Sequence, residues 1–96
     1  MNLVFVIGRI VSEIKFDFVL NSTNISIVNF EIELNNKNIV KVKGYNEVAD
    51  FCYCKLNKND TVSILGSLDS NMEIIVKEIS GHLGRAFLTI FKIWMQ

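Results

Sequence analysis

The stretch "IVKVKGYNEVADFCYCKLNKNDTVSILGSL", residues 39–68, contains two changes of hydrophobic period. Residues 39–44 alternate apolar and polar side chains, which is typical of a strand exposed on one face. Residues 46–57 place their apolar side chains at the spacing of a short amphipathic helix. Residues 61–68 then return to strand alternation, with a glycine within the apolar face. The middle of the chain therefore predicts the order strand, helix, strand.

The predicted helix carries signals at both ends. Asn46 is suited to the N-cap, Glu47 lies in the first turn and Lys55 in the last, as the helix dipole favours. Within it, Cys52 and Cys54 lie two residues apart and point to different faces, so they cannot share a metal ion or a disulfide. Buried, unreactive thiols are the better interpretation. We expect no metal site and no cofactor.

Strand patterns also flank this stretch. Residues 2–14 are rich in Val and Ile and predict a long strand bent at Gly8, which residues 15–19 continue or restart. Further strands are predicted at 25–34 and 72–79, with those at 39–44 and 61–68 between them. Five strands with one short helix between the third and fourth is the order of an OB-fold barrel. We therefore predict a mainly β fold, with the OB-fold domain in residues 1–80; another small β-barrel or an open α+β sheet is the alternative.

The hairpin between the second and third strands allows a prediction of register. A three-residue loop, residues 36–38, pairs Glu33 with Lys41 and Glu31 with Lys43, and it keeps the apolar residues of both strands on one face. A loop with an even number of residues would mix the two faces. Asn38 would take the left-handed position that such loops require.

Composition limits the classes of function. The chain has 96 residues, enough for one domain, and its 10 basic and 10 acidic side chains give a net charge of +0. No global field attracts nucleic acid, so any such site must be local. The first residues lack the features of a secretory signal, and we expect a cytoplasmic protein whose two Cys stay reduced. No nucleophile with a base, carboxylate pair in a cleft or phosphate-binding glycine loop is recognisable, so we expect no enzymatic activity.

Three segments carry a resemblance to a known family. "MNLVFVIGRI", "VKGYNEVADF" and "KNDTVSILGSL" resemble the opening, the third strand with its helix, and the fourth strand of bacterial single-stranded DNA-binding proteins, and the resemblance extends to related primosomal OB-fold proteins. It covers residues 1 to about 80. The resemblance implies an OB-fold that assembles as a dimer or tetramer and binds single-stranded DNA without chemistry, in replication, conjugation or a mobile element.

Such binding requires cations along the phosphate backbone and aromatic rings on which bases stack. The resemblance implies that the nucleic-acid-binding residues are Arg9, Phe18, Lys37, Lys41, Lys43 and Tyr45. The hairpin loops "NKN" and "DSN" are shorter than in the family, and the predicted register opposes two of these lysines to glutamates. The alternative is an OB-fold protein-interaction module with weak or no nucleic-acid binding.

The chain ends with an apolar segment, "GRAFLTIFKIWMQ", which replaces the acidic C-terminal tip of the family. It is too short for a membrane span, which needs about 20 apolar residues. Strand alternation fits less well than a helix, because both strand faces would be mostly apolar. We predict that residues 81–96 form a helical extension, with a strand as the alternative, and that it is buried at a subunit interface or else across the open end of its own barrel. The seam of the helix consists of Leu83, Phe87, Ile90, Phe91 and Trp94.

Overall fold

The computed structural model describes residues 2–19, 25–83 and 86–92, with side chains as far as Gly81. In these ranges the chain forms seven strands and one helix. The elements are β1 (Val4–Ile10), β2 (Lys15–Val19), β3 (Ile25–Leu34), β4 (Ile39–Tyr45), α1 (Glu47–Lys55), β5 (Thr61–Leu68), β6 (Ile74–Leu83) and β7 (Ala86–Lys92).

Five of the strands close into a barrel in the order β1, β5, β6, β4, β3 and back to β1. β1 closes it, because Val4–Arg9 pair with β5 while Gly8–Ile10 pair with β3 on the other edge. A short parallel contact joins β4 to β6, with Val42 opposite Ile74 and Lys43 opposite Ile75. The predicted OB-fold barrel is confirmed.

The helix follows the fourth strand of the chain, not the third. The sequence left open whether residues 15–19 continue the first strand, and the structure makes them a separate strand, β2, paired with β3 outside the barrel. The backbone leaves β1 after Ile10, where Val11 N donates a hydrogen bond to Glu31 O at 2.9 Å. The chain changes direction here and starts a new strand, β2. Because β2 adds one strand before the helix, the helix lies between β4 and β5.

The core consists of the inward-facing residues of the barrel strands and the buried face of α1. Gly66 lies on β5 where the register with β6 shifts, between Leu65 and Gly66. A Cβ there would collide with the carbonyl oxygen of Ile75, so the sharp curvature of β5 requires glycine. The largest fully buried side chains of the core are Ile10, Val28, Ile32, Val42, Val48, Cys52, Val62, Ile64, Ile74 and Ile79.

The apolar residues predicted from the helical spacing are buried: Val48, Phe51 and Cys52 in α1 and Leu56 at its C-cap. Asn46 lies at the N-cap, as predicted, with φ 56° and ψ −116°, but its side chain makes no capping hydrogen bond. Its Oδ1 instead accepts from Ser26 N at 3.4 Å, because this residue turns the chain from β4 into the helix beside β3.

The β3–β4 register differs from the prediction by two residues. Glu31 pairs with Lys41 and Asn29 pairs with Lys43, whereas Glu33 lies opposite Ile39. The loop does have three residues, 35–37, because Leu34 N donates to Asn38 O at 2.9 Å. Lys37, with φ 72°, takes the left-handed position predicted for Asn38. The apolar face is unchanged, since a shift of two preserves the alternation.

The predicted C-terminal helix is wrong for the residues that the structure describes. Ala86–Lys92 form β7, antiparallel to β6, with a register shift between Gly81 and His82. β6 leaves an edge free where β4 stops pairing with it, and a segment rich in β-branched and aromatic residues can complete that edge. Trp94 lies outside the described residues. Within the described ranges, the structure holds no helix long and apolar enough to cross a membrane.

Candidate nucleic-acid interface

The outer face of β2, β3 and β4 carries polar residues in cross-strand rows. Lys15 lies opposite Asn29, and Asn29 lies opposite Lys43, so one row crosses all three strands. The next row pairs Glu31 with Lys41. These residues face outward because Val28, Phe30 and Ile32 alternate with them and are buried. Two predicted contact residues, Lys41 and Lys43, therefore lie together on this face.

These rows border a groove of about 520 Å³, which we call the outer groove. One wall is the segment 12–15, which is fixed to β3 because Ser12 Oγ accepts a hydrogen bond from Glu31 N at 2.8 Å. Glu73 forms part of the opposite side. The residues that line the groove are Ser12, Glu13, Lys15, Asn29, Phe30, Glu31, Lys41, Val42, Lys43 and Glu73.

The outer groove is formally neutral. Its three lysines, Lys15, Lys41 and Lys43, are matched by three glutamates, Glu13, Glu31 and Glu73. Lys43 Nζ lies 3.5 Å from Glu73 Oε1, and these side chains are 27% and 21% exposed. Because both remain in contact with solvent, the pair is weak and can exchange partners.

Arg9 is held by two hydrogen bonds at the opposite end of β3. Its Nη1 donates to Asn59 Oδ1 at 2.9 Å and its Nη2 donates to Glu33 Oε1 at 3.1 Å. Asn59 belongs to the loop before β5, whose backbone is also bonded to Ile10. Arg9 and Lys37 border a smaller groove of about 220 Å³, separate from the outer groove. Arg9 thus joins β1, β3 and this loop.

The two aromatic residues predicted to bind nucleic acid, Tyr45 and Phe18, lie on opposite faces of the sheet. Tyr45 is exposed at the end of β4, and it lies opposite Ile27 on the same outer face as Lys43. Phe18 lies opposite Ser26, which is buried, so Phe18 is on the helix side of the sheet. Phe18 is 51% exposed and is not among the residues that line the outer groove.

The helix side of β2 has its own aromatic contact. The ring of Phe16, which shares the face of Phe18, lies 4.8 Å from the ring of Tyr53 on α1. This pair packs β2 against the helix, which explains the alternation of aromatic and charged residues in residues 15–18. Phe16 therefore attaches β2 to the helix, and neither Phe16 nor Phe18 extends the polar rows.

Of the residues that line the outer groove, only Lys41 and Lys43 were predicted from the sequence, and Lys15, Asn29 and Glu73 are among those that were missed. The period of two in residues 15–19 was sufficient to place Lys15 opposite the aromatic face. Asn29 required the correct hairpin register. Glu73 required the parallel contact between β4 and β6, which joins segments distant in the sequence and leaves no local signal.

A second surface is apolar and lies on the outer face of β1. Leu3, Phe5 and Ile7 are 57%, 63% and 49% exposed, and we call them the β1 apolar surface. Phe5 lies opposite Leu65 of β5, which extends this surface across one strand. Three consecutive outward-facing apolar side chains on one strand are unusual for a surface that remains in water.

The thiols lie apart from both surfaces. Burial raises the pKa of the Cys52 thiol from 9.0 to about 12, so this thiol stays protonated at neutral pH. Cys54 is exposed on another face of α1. Among the described side chains, no group of three or more Cys, His, Asp or Glu residues could hold a metal ion.

Comparisons of structure identify the fold. An SSB domain of a protein from Synechococcus superposes with a TM-score of 0.73 at 19% identity, over 82% of this chain and 93% of that one. A mitochondrial single-stranded DNA-binding protein from S. cerevisiae gives 0.71 at 16% identity, over 95% and 94%. The single-stranded DNA-binding protein from Thermus aquaticus gives 0.68 at 14% identity. This superposition covers 100% of this chain and 42% of the Thermus aquaticus chain.

No protein-family model matches the sequence, and no curated protein matches it. The structural likeness shows that the chain has the OB-fold of single-stranded DNA-binding domains.

Proposed function

We propose that this protein binds single-stranded DNA along the outer face of β2, β3 and β4, without catalysing a reaction. The observation that carries the proposal is the row formed by Lys15, Asn29 and Lys43, with Lys41 beside it, along an open groove. The same fold occurs in three proteins described as single-stranded DNA-binding proteins or domains. The structural similarity to these proteins supports the proposal, and the lysines of the outer groove provide the positive charges that would contact phosphates.

The lysines would contact phosphates and Tyr45 would stack a base. A single strand needs cations spaced along its backbone and an aromatic ring that is accessible to a base. Lys15 and Lys43 lie two strands apart, a separation of about 10 Å between their backbones. With about three phosphate contacts, the logarithm of the binding constant should fall with the logarithm of salt concentration at a slope near −2. Binding should therefore be modest and lost at high salt.

The other predicted contacts have different positions in this proposal. Arg9 and Lys37 would extend the path past the end of β3, beyond Glu33. Phe18 would be reached only by a strand that passes around the edge of β2 to the helix side. We therefore rank Lys43, Lys41 and Tyr45 as the main contacts.

Fluorescence anisotropy with a labelled oligothymidine over a salt series tests the proposal. Lys43→Gln should weaken binding about threefold to tenfold and reduce the salt slope by about 0.7, because one phosphate contact is lost. Lys58→Gln is the matched control, since Lys58 is exposed in the loop after α1 and does not border the outer groove. Absence of binding by the unaltered protein at low salt would refute the proposal.

We also propose that the protein forms a homo-oligomer, a dimer or tetramer. The β1 apolar surface supports this, because a second copy would cover side chains that are half or more exposed. The seam predicted from the sequence in residues 83–94 is a second candidate for the interface. A spacing of three and four residues does not define one face of a strand, so the β1 apolar surface is now the stronger candidate.

The alternative is an OB-fold protein-interaction module with weak or no nucleic-acid binding. The neutral outer groove favours it, since each lysine there has a glutamate in the same groove. The shortness of the β3–β4 and β5–β6 turns favours it too, because neither provides a long arm to grip a strand. The partner in either case would be a component of replication or of a mobile element, as the resemblance implies.

A further inference from the structure

Glu73 borders the outer groove and forms an ion pair with Lys43, which borders the same groove. It is the last residue before β6, and its carboxylate oxygen Oε1 lies 3.5 Å from Lys43 Nζ. The residue pairs Val42–Ile74 and Lys43–Ile75 bring the start of β6 beside β4. The ion pair thus forms between β4 and the residue just before β6, beside the short parallel contact of these two strands.

The turn before Glu73 fixes its backbone. Asp69 Oδ1 accepts hydrogen bonds from Asn71 N and from Glu73 N, each at 2.9 Å. Asp69 N donates to Glu73 O at 3.0 Å, which closes the turn. Because these bonds use only main-chain atoms of Glu73, its carboxylate is free of other partners in the described structure and is held at the groove.

We propose that Glu73 competes with nucleic-acid phosphate for Lys43 and so limits the affinity of the outer groove. This inference rests on the function proposed above. A phosphate that contacts Lys43 must displace the carboxylate or approach it, and both cost free energy. Glu31 and Glu13 also reduce the potential of the groove, but neither forms an ion pair within 4.0 Å among the described residues. Glu73 therefore has the largest effect of the three.

The substitution Glu73→Gln tests this directly. It removes the charge and keeps the size of the side chain, while the main-chain bonds of the turn remain. Oligothymidine should bind about threefold more tightly than to the unaltered protein, because phosphate no longer has to displace a carboxylate from Lys43. The salt slope should stay near −2, because the number of phosphate contacts is unchanged. The double variant Lys43→Gln with Glu73→Gln should lose most of this gain.

Glu47→Gln is the matched control for net charge. Glu47 is exposed in the first turn of α1 and does not border the outer groove. An effect of Glu73→Gln no greater than that of Glu47→Gln, or a loss of affinity, would overturn the role of Glu73 while the function stands. If neither the unaltered protein nor Glu73→Gln binds at low salt, the proposed function and this inference both fail.

Discussion

The outer faces of β1 and of β3–β4 follow the same alternation but present opposite chemistry. At β1 the outward residues before Arg9 are Leu3, just ahead of the strand, and Phe5 and Ile7 within it, all of them large and exposed. On β3 and β4 the outward residues near the groove are mainly Lys, Glu and Asn. Alternation places one face of each strand in the core, and it leaves the other face free to serve a partner. The difference agrees with the two partners proposed above, a second copy of this chain at the β1 apolar surface and single-stranded DNA at the outer groove.

Gly66→Ala should have the largest effect, since it disturbs the barrel on which both faces depend. The added methyl group meets the backbone of β6 at Ile75, which cannot move without breaking the β5–β6 pairing. We expect the free energy of unfolding to fall by about 3 kcal/mol. Urea denaturation followed by circular dichroism measures this change. Ser67→Ala, one residue along the strand, should cost less than about 0.5 kcal/mol; an equal loss for both variants would contradict the role of curvature at Gly66.

Phe5→Ser tests whether the β1 apolar surface forms the interface with a second copy of the chain. Phe5 is 63% exposed, so the substitution should change the stability of a monomer by less than about 0.5 kcal/mol. If a second copy covers the β1 apolar surface, light scattering should show a fall in mass at micromolar concentration. Ile39→Ser is the control, because Ile39 is 59% exposed and lies on β4.

A chain truncated after Gly81 distinguishes the two candidate interfaces. A fall in mass on truncation, with Phe5→Ser unchanged, would assign the interface to the C-terminal segment and contradict the role given to β1. A fall in both variants would show that β7 contributes to the same interface, since β7 belongs to the same sheet as β1.

Arg9→Ala should have the smallest effect on DNA binding, and it distinguishes a structural role of Arg9 from contact with the ligand. Its hydrogen bonds to Asn59 and Glu33 are half exposed, so their loss should lower the free energy of unfolding by about 1 kcal/mol. Affinity for oligothymidine should fall only about twofold, because Arg9 lies outside the outer groove. Unchanged stability with a tenfold loss of affinity would instead mean that Arg9 leaves Glu33 and binds phosphate.

The β3–β4 hairpin shows which features the local sequence pattern can predict and which it cannot. Its loop length and its buried face were predictable, because alternation excludes an even loop. Its register was not, because shifting the loop from residues 36–38 to 35–37 preserves the alternation. The choice depends on which residue adopts a positive φ, and Lys37 does so while Asn36 Oδ1 accepts from Asn38 N at 3.1 Å. The consequence for the site is large, since Lys43 faces Asn29 and not Glu31.

The aromatic residues and the C-terminal segment show where the pattern fails. Phe18 was assigned to the same site as Lys43 by resemblance, but β2 presents it on the helix side. The pattern of the C-terminal segment favours a helix, because both faces of a strand would be mostly apolar and a strand exposed on one face needs a polar side. A free edge on β6 provides that place, and only the sheet topology reveals it.

The order strand, helix, strand in residues 39–68, the buried face of each of these elements and the glycine in β5 were determined by the sequence, because period, turn residues and steric limits act locally. The separation of Phe18 from the lysines, the meeting of Lys43 with Glu73 and the place of β7 were decided by the tertiary structure. Each of these depends on the pairing of strands distant along the chain. Such pairing depends on how the whole barrel closes, which no single segment encodes.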